Sequence, residues 1–133
     1  MSYYTHFTGQ FNSAPYMTAE EVQMLSEFVE KRHEGPEFPD FPYCQWEPTP
    51  DGSGIRYTDN ETSSYFYEEW LTYLIEHFMK PWGLTLSGAV TYEGEEASHQ
   101  GTLWVHNNEV KDVPNQIVVP QNPFLSAPPS AAA

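Results

Sequence analysis

Basic side chains are what this sequence has least of: Lys and Arg together number 5 against 19 Asp and Glu, a formal net charge of −14. A nucleic-acid binder draws most of its affinity from Lys and Arg displacing condensed counterions. Lys31, Arg32, Arg56, Lys80 and Lys111 are scattered over the chain, which argues against direct binding to DNA or RNA. The same deficit argues against an anionic membrane surface. Cysteine is nearly absent too. Cys44 is the only one, excluding an intrachain disulfide framework and any CxxC metal knuckle or redox pair. No apolar run approaches the roughly 20 residues that span a bilayer, and the residues after Met1 lack the basic-then-apolar pattern of a secretion signal. A cytoplasmic protein is expected. Catalytic signatures are missing as well: there is no GxSxG elbow, phosphate-binding GxxxxGKS/T loop, HExxH or GxGxxG, so a non-enzymatic role without cofactor or metal is expected.

Aromatic residues are plentiful, 9 Tyr, 8 Phe and 4 Trp, and supply the bulk of a core that the acidity alone would argue against. Residues 3–11 alternate, with Tyr3, Phe7 and Phe11 on one face and Tyr4, His6, Thr8 and Gln10 on the other, the mark of a half-buried strand. Thr18-Ala-Glu-Glu21 is a capping box opening an amphipathic helix to about His33, with Val22, Leu25, Phe28 and Val29 on its apolar side. The proline-rich run 35–42 reads as a loop. Strands follow at 43–48 and 54–58, joined by the turn Thr49-Pro-Asp-Gly52. A second helix from about Ser64 to Lys80 carries Tyr67, Trp70, Leu71, Leu74 and Phe78 on one stripe, widened by Ile75 and Phe66. Leu84, Leu86, Gly88, Val90 and Tyr92 then share one face of a strand, and strands at 101–106 and 109–113 flank a tight Asn107-Asn108 turn. The expected fold is α+β, order β-α-β-β-α-β-β-β, with two helices on one face of a mostly antiparallel, ferredoxin-like sheet. The domain is expected over residues 1–113, with 114–133 a proline-rich flexible tail.

Side chains that could carry chemistry are few. Glu76 and His77, adjacent on the second helix, point about 100° apart and do not converge on a metal. Glu93, Glu95, Glu96 and His99 read as a solvated hairpin tip, and Cys44, with no neighbouring cation, as an inert buried thiol. Two groupings remain. Glu20, Glu27, Glu30 and Glu34, continued by Glu37 and Asp40 in the proline loop, form a negative ribbon fit for a partner's basic surface. His6, Trp104 and His106, with Thr8, Gln10 and Thr102, make a polar sheet face that could hold a small ligand.

Four stretches carry a resemblance: Cys44 to Ile55 (CQWEPTPDGSGI), Tyr67 to Gly83 (YEEWLTYLIEHFMKPWG), Leu86 to Glu96 (LSGAVTYEGEE) and Gly101 to Val110 (GTLWVHNNEV). Over about residues 43–112 the chain resembles small acidic proteins of tailed bacteriophages and prophages. The resemblance implies a phage context and, by class analogy, an inhibitor of the anti-CRISPR or anti-restriction type that mimics nucleic acid and blocks a host nucleic-acid-binding defence protein. The alternatives are a nucleotide or small-ligand binder using the polar sheet face and a minor virion structural protein.

Overall fold

Alternating burial runs through the first strand as the sequence demands: Phe11 and Ser13 are buried, Phe7 is partly buried, and His6, Thr8 and Asn12 are exposed. The computed structural model describes residues 5–58, 66–95, 99–114 and 123–124; Tyr3, Tyr4, Ser64, Glu96 and most of the expected tail lie outside these. One strand was expected here and two are found, β1 (Thr5–Thr8) and β2 (Gln10–Ala14), divided at Gly9. Both pair antiparallel with β5 (Thr85–Gly94) in a single register, Thr8 opposite Thr91 and Phe11 opposite Gly88.

β3 (Trp46–Pro48) and β4 (Gly54–Tyr57) form the expected hairpin, and β6 (Gln100–His106) and β7 (Glu109–Pro114) the last one. All pairings are antiparallel, in the order β3-β4-β2-β5-β6-β7 with β1 also on β5. β4 thus lies between β2 and β3, and β2 between β4 and β5, a split β-α-β interleaving to which β6 and β7 add two strands. The architecture is α+β, with two helices and a seven-stranded antiparallel sheet. Phe11, Ile55, Leu86, Val90 and Leu103 of the sheet join Leu25, Trp70, Leu71 and Leu74 of the helices in one core cluster. Burying each such aliphatic side chain contributes about 1.5–3 kcal/mol. Among the described residues no helix is long and apolar enough to cross a membrane, which says nothing of a membrane β-barrel.

Helix α1 (Ala19–Val29) opens with the capping box in both directions, the Glu21 amide donating to Thr18 Oγ1 at 3.1 Å and the Thr18 amide to Glu21 Oε1 at 2.9 Å. It ends four residues before the expected His33. The physical reason is His33 itself: its ring nitrogen bonds the Phe28 carbonyl at 2.7 Å, occupying an acceptor that a continued helix would use, and its amide leaves to Pro42 O at 2.8 Å. Glu30 and Glu34 therefore lie beyond the helix rather than on it.

Helix α2 (Tyr67–Leu74) continues as one π-helical turn, Ile75–Met79, closed by the Lys80 amide on Ile75 O at 2.9 Å. The extra residue in that turn moves the apolar stripe along by one position. Met79 is therefore fully buried where Phe78 was expected, and Phe78 is released to pack on Phe28 and Trp82.

Two turns carry the hairpins. Asn107 and Asn108 both adopt positive φ, and the Asn108 amide side chain accepts from Leu86 N at 2.7 Å and donates to Leu84 O at 3.0 Å. In the β3–β4 turn Gly52 has φ +79°, and a Cβ there would lie 2.3 Å from the Met17 carbonyl oxygen. Gly83, at φ +73°, faces open space. Gly52→Ala should cost at least about 2 kcal/mol, strain plus backbone collision, and Gly83→Ala only about 1 kcal/mol. Urea unfolding midpoints at unchanged slope check this, and equal losses would refute the close approach.

Candidate functional site

The acidic segment takes its shape from the chain beyond α1. The bond from His33 N to Pro42 O closes residues 34–41 into a loop, and the buried Trp70 indole donates to Phe41 O at 2.7 Å, fixing that loop on α2. Phe28, His33, Phe38 and Tyr73 pack around Trp70, Phe38 stacked and Phe28 and Tyr73 edge-on: Phe28 and His33 centroids are 4.0 Å apart, Phe38 and Tyr73 5.5 Å. Glu20, Glu27, Glu30, Glu34, Glu37 and Asp40, on α1, at its C-cap and in this loop, are all exposed. The structure thus keeps the six expected acids on the surface, two on α1, one at its C-cap and three in the loop.

Their neutralisation is incomplete. Among the described residues Arg32 pairs with Glu34 at 2.7 Å, while Glu20, Glu27, Glu30, Glu37 and Asp40 have no ion pair. Glu27 sits in the last turn of α1 and Glu30 at its C-cap, with no basic residue in that turn. Carboxylates there face the negative end of the helix dipole, a placement that costs rather than stabilises.

The polar sheet face exists, divided. His6, Thr8, Thr102, Trp104 and His106 all point away from the core, yet His6 stands opposite Glu93 on β5 whereas Trp104 stands opposite Ala89. Four strand residues separate those positions, about 13 Å, and His106 is two residues further, so His6 does not converge with Trp104 and His106. At the His106 end the Phe124 ring lies 5.4 Å from the imidazole, with Lys111 Nζ 4.9 Å from the Phe124 centroid. The Trp104 indole nitrogen is buried and has no hydrogen-bond partner among the described residues.

A polar array that no motif announced lies on the core side, under the start of α2. Tyr67 Oη and His99 Nε2 are hydrogen-bonded at 3.0 Å, and Tyr92 Oη donates to Asp112 Oδ1 at 2.8 Å. Burial and the Asp112 carboxylate hold the Tyr92 phenol well above its usual range. Burial, then the charges of Asp112 and Glu69, push the Glu68 carboxyl upward. His99 therefore belongs with Tyr67, on the sheet side opposite Glu93, rather than in the acidic hairpin tip. The alternation of β6 carries that signal: His99 is in phase with buried Gly101 and Leu103. Among the described residues no three His, Cys, Asp or Glu side chains group as metal ligands. An open cleft of about 480 Å³ lies between α2 and the β6–β7 hairpin, lined by Glu68, Glu76, Lys80, Asn107 and Glu109 among others.

Cys44 is buried, its thiol 3.6 Å from the Trp46 carbonyl, and burial pushes its pKa up to about 12. Since the folded value lies above the ordinary 9.0, the neutral thiol's contribution is complete below about pH 9 and is lost as pH rises toward 12. Unfolding free energy should fall above pH 9 by up to ~1.4 kcal/mol per pH unit more in the native chain than in Cys44→Ala. Parallel pH profiles for the two would refute this.

No protein-family model, curated protein or solved structure matches this chain.

Proposed function

We propose that the chain is a non-enzymatic binder that occupies the basic surface of another protein, in its most concrete form a nucleic-acid-binding defence protein of a host cell. The observation carrying this reading is the run of exposed carboxylates at and beyond the C-terminus of α1, of which Glu27, Glu30, Glu37 and Asp40 have no ion pair among the described residues. A fold gains nothing from Glu27 and Glu30 at a helix C-terminus. A partner's Lys and Arg would supply the missing cations, and the field of −14 charges would steer the encounter. The phage context implied by the sequence resemblance is part of this proposal.

Opposite signs on stability and binding test the reading. Glu27→Lys with Glu30→Lys should stabilise the free protein by about 0.5–1 kcal/mol through the helix dipole, while abolishing capture of the partner from a bacterial lysate at low salt. Glu69→Lys, on the exposed side of α2, should leave capture unchanged. The captured protein should bind nucleic acid, and added salt should release it. Capture indifferent to salt, or to the α1 charges, would sink the proposal.

A further inference from the structure

Among the described residues Glu34 alone of the six acids is bound to a cation, and the manner of that binding is specific. The hydrogen bond from His33 N to Pro42 O brings the residues just outside it, Arg32 and Tyr43, side by side. The Arg32 guanidinium donates to Glu34 Oε1 at 2.7 Å and to Tyr43 Oη at 3.1 Å, with its central carbon 5.4 Å from the Tyr43 ring centroid. Phe41 supports Tyr43 edge-on at 5.9 Å, and the Phe41 carbonyl is held by the Trp70 indole. Ring face, phenol oxygen and carboxylate thus form a cradle anchored to the core yet open to solvent. Tyr43 is 41% exposed.

Lys31 supplies an internal control. It precedes Arg32 in the chain, between Glu30 and Glu34, and has no ion pair among the described residues, whereas Arg32 takes both the carboxylate and the ring. A planar guanidinium can lie near an aromatic face and still present a fork of donors to a carboxylate at its edge; an ammonium meets one demand at a time.

We infer that Tyr43 and Glu34 form a recognition site for an arginine side chain of the partner, held in the free protein by the chain's own Arg32. This rests on the proposed function, because it names the partner chemistry of the same acidic surface. The occupant is exposed, with Arg32 and Glu34 side chains 53% and 68% accessible, and ion pairs of that kind contribute little to stability. An incoming arginine therefore replaces like with like at small cost. The partner face is accordingly arginine-bearing rather than merely basic.

Nona-arginine and nona-lysine carry equal side-chain charge and so separate guanidinium recognition from attraction by net charge. The intact chain should bind both at low salt, preferring nona-arginine by about twofold to fivefold. Arg32→Ala vacates the cradle and should widen the preference. Tyr43→Leu, and separately Glu34→Gln, should reduce it toward unity, while the nona-lysine affinity of Tyr43→Leu and its melting temperature stay those of the native chain. Equal affinity of Arg32→Ala for the two peptides would overturn the cradle and leave the electrostatic reading standing. Failure of both peptides to bind at low salt would overturn both.

Discussion

Two buried indole N–H groups hold the parts of this chain that no sheet ladder reaches. Trp46 and Trp70 are at most 1% exposed, and each donates at 2.7 Å to a backbone carbonyl outside the sheet, Tyr67 O and Phe41 O. Leaving either donor unpaired in the core would cost about 1–3 kcal/mol, so each bond pins its segment. Through Trp46 the start of α2 is fixed, where Phe66 at φ 56° precedes the helix without any side-chain cap. Through Trp70 the proline loop is fixed, and with it the side-by-side placement of Arg32 and Tyr43. The acidic surface is thus positioned by a core tryptophan of another element.

Charge sets the opposing constraint. Self-repulsion among 19 carboxylates works against compactness, and the four ion pairs among the described residues are all at least partly exposed. Cohesion rests instead on one dense cluster in which aromatic rings meet edge-on or stacked: Phe7 alone lies within 6.3 Å of Trp46, Tyr57, Tyr67 and Tyr92. Edge-to-face pairs of this kind add about 0.5–1.5 kcal/mol beyond the area they bury. The abundance of aromatics and the excess of acid are two sides of one arrangement. Rings that pack without charge leave the surface free to carry a single sign.

What the sequence made legible is what depends on neighbours a few residues away. Period-two alternation gave the faces of β1, β2 and β5; Thr18 and Glu21 gave the start of α1; two asparagines gave the last turn. Events set by distant residues were not legible. The helix stop at Val29 depends on the His33 ring reaching back, the inward turn of Met79 on a π-helical residue that an α-helical count does not contain, and the Tyr67–His99 and Tyr92–Asp112 bonds on pairings across 32 and 20 residues. The acids of the candidate site were legible individually. Their support was not, since the ring cluster around Trp70 draws on α1, the loop and α2 together.

Ion pairs are spread over both sides of the molecule, Arg32 with Glu34 and Lys80 with Glu76 on the helix side and two more on the sheet. On the outer sheet face Arg56 meets Glu47 at 3.0 Å and Lys111 lies 3.9 Å from Glu109, while Phe124 of the chain's own C-terminal region rests on His106 beside Lys111. Among the described residues Glu27, Glu30, Glu37 and Asp40, around the end of α1 and in the proline loop, have no ion pair, and neither do Glu69 on α2 and Glu93 on the sheet. On the proposed reading, the unpaired run at the end of α1 is where the cations of a basic partner would be drawn. Steering of that kind decays over a Debye length, about 8 Å at physiological ionic strength. Within that distance net charge would give way to shape, and the rigid feature beside the acids is the ring cluster held by Trp70.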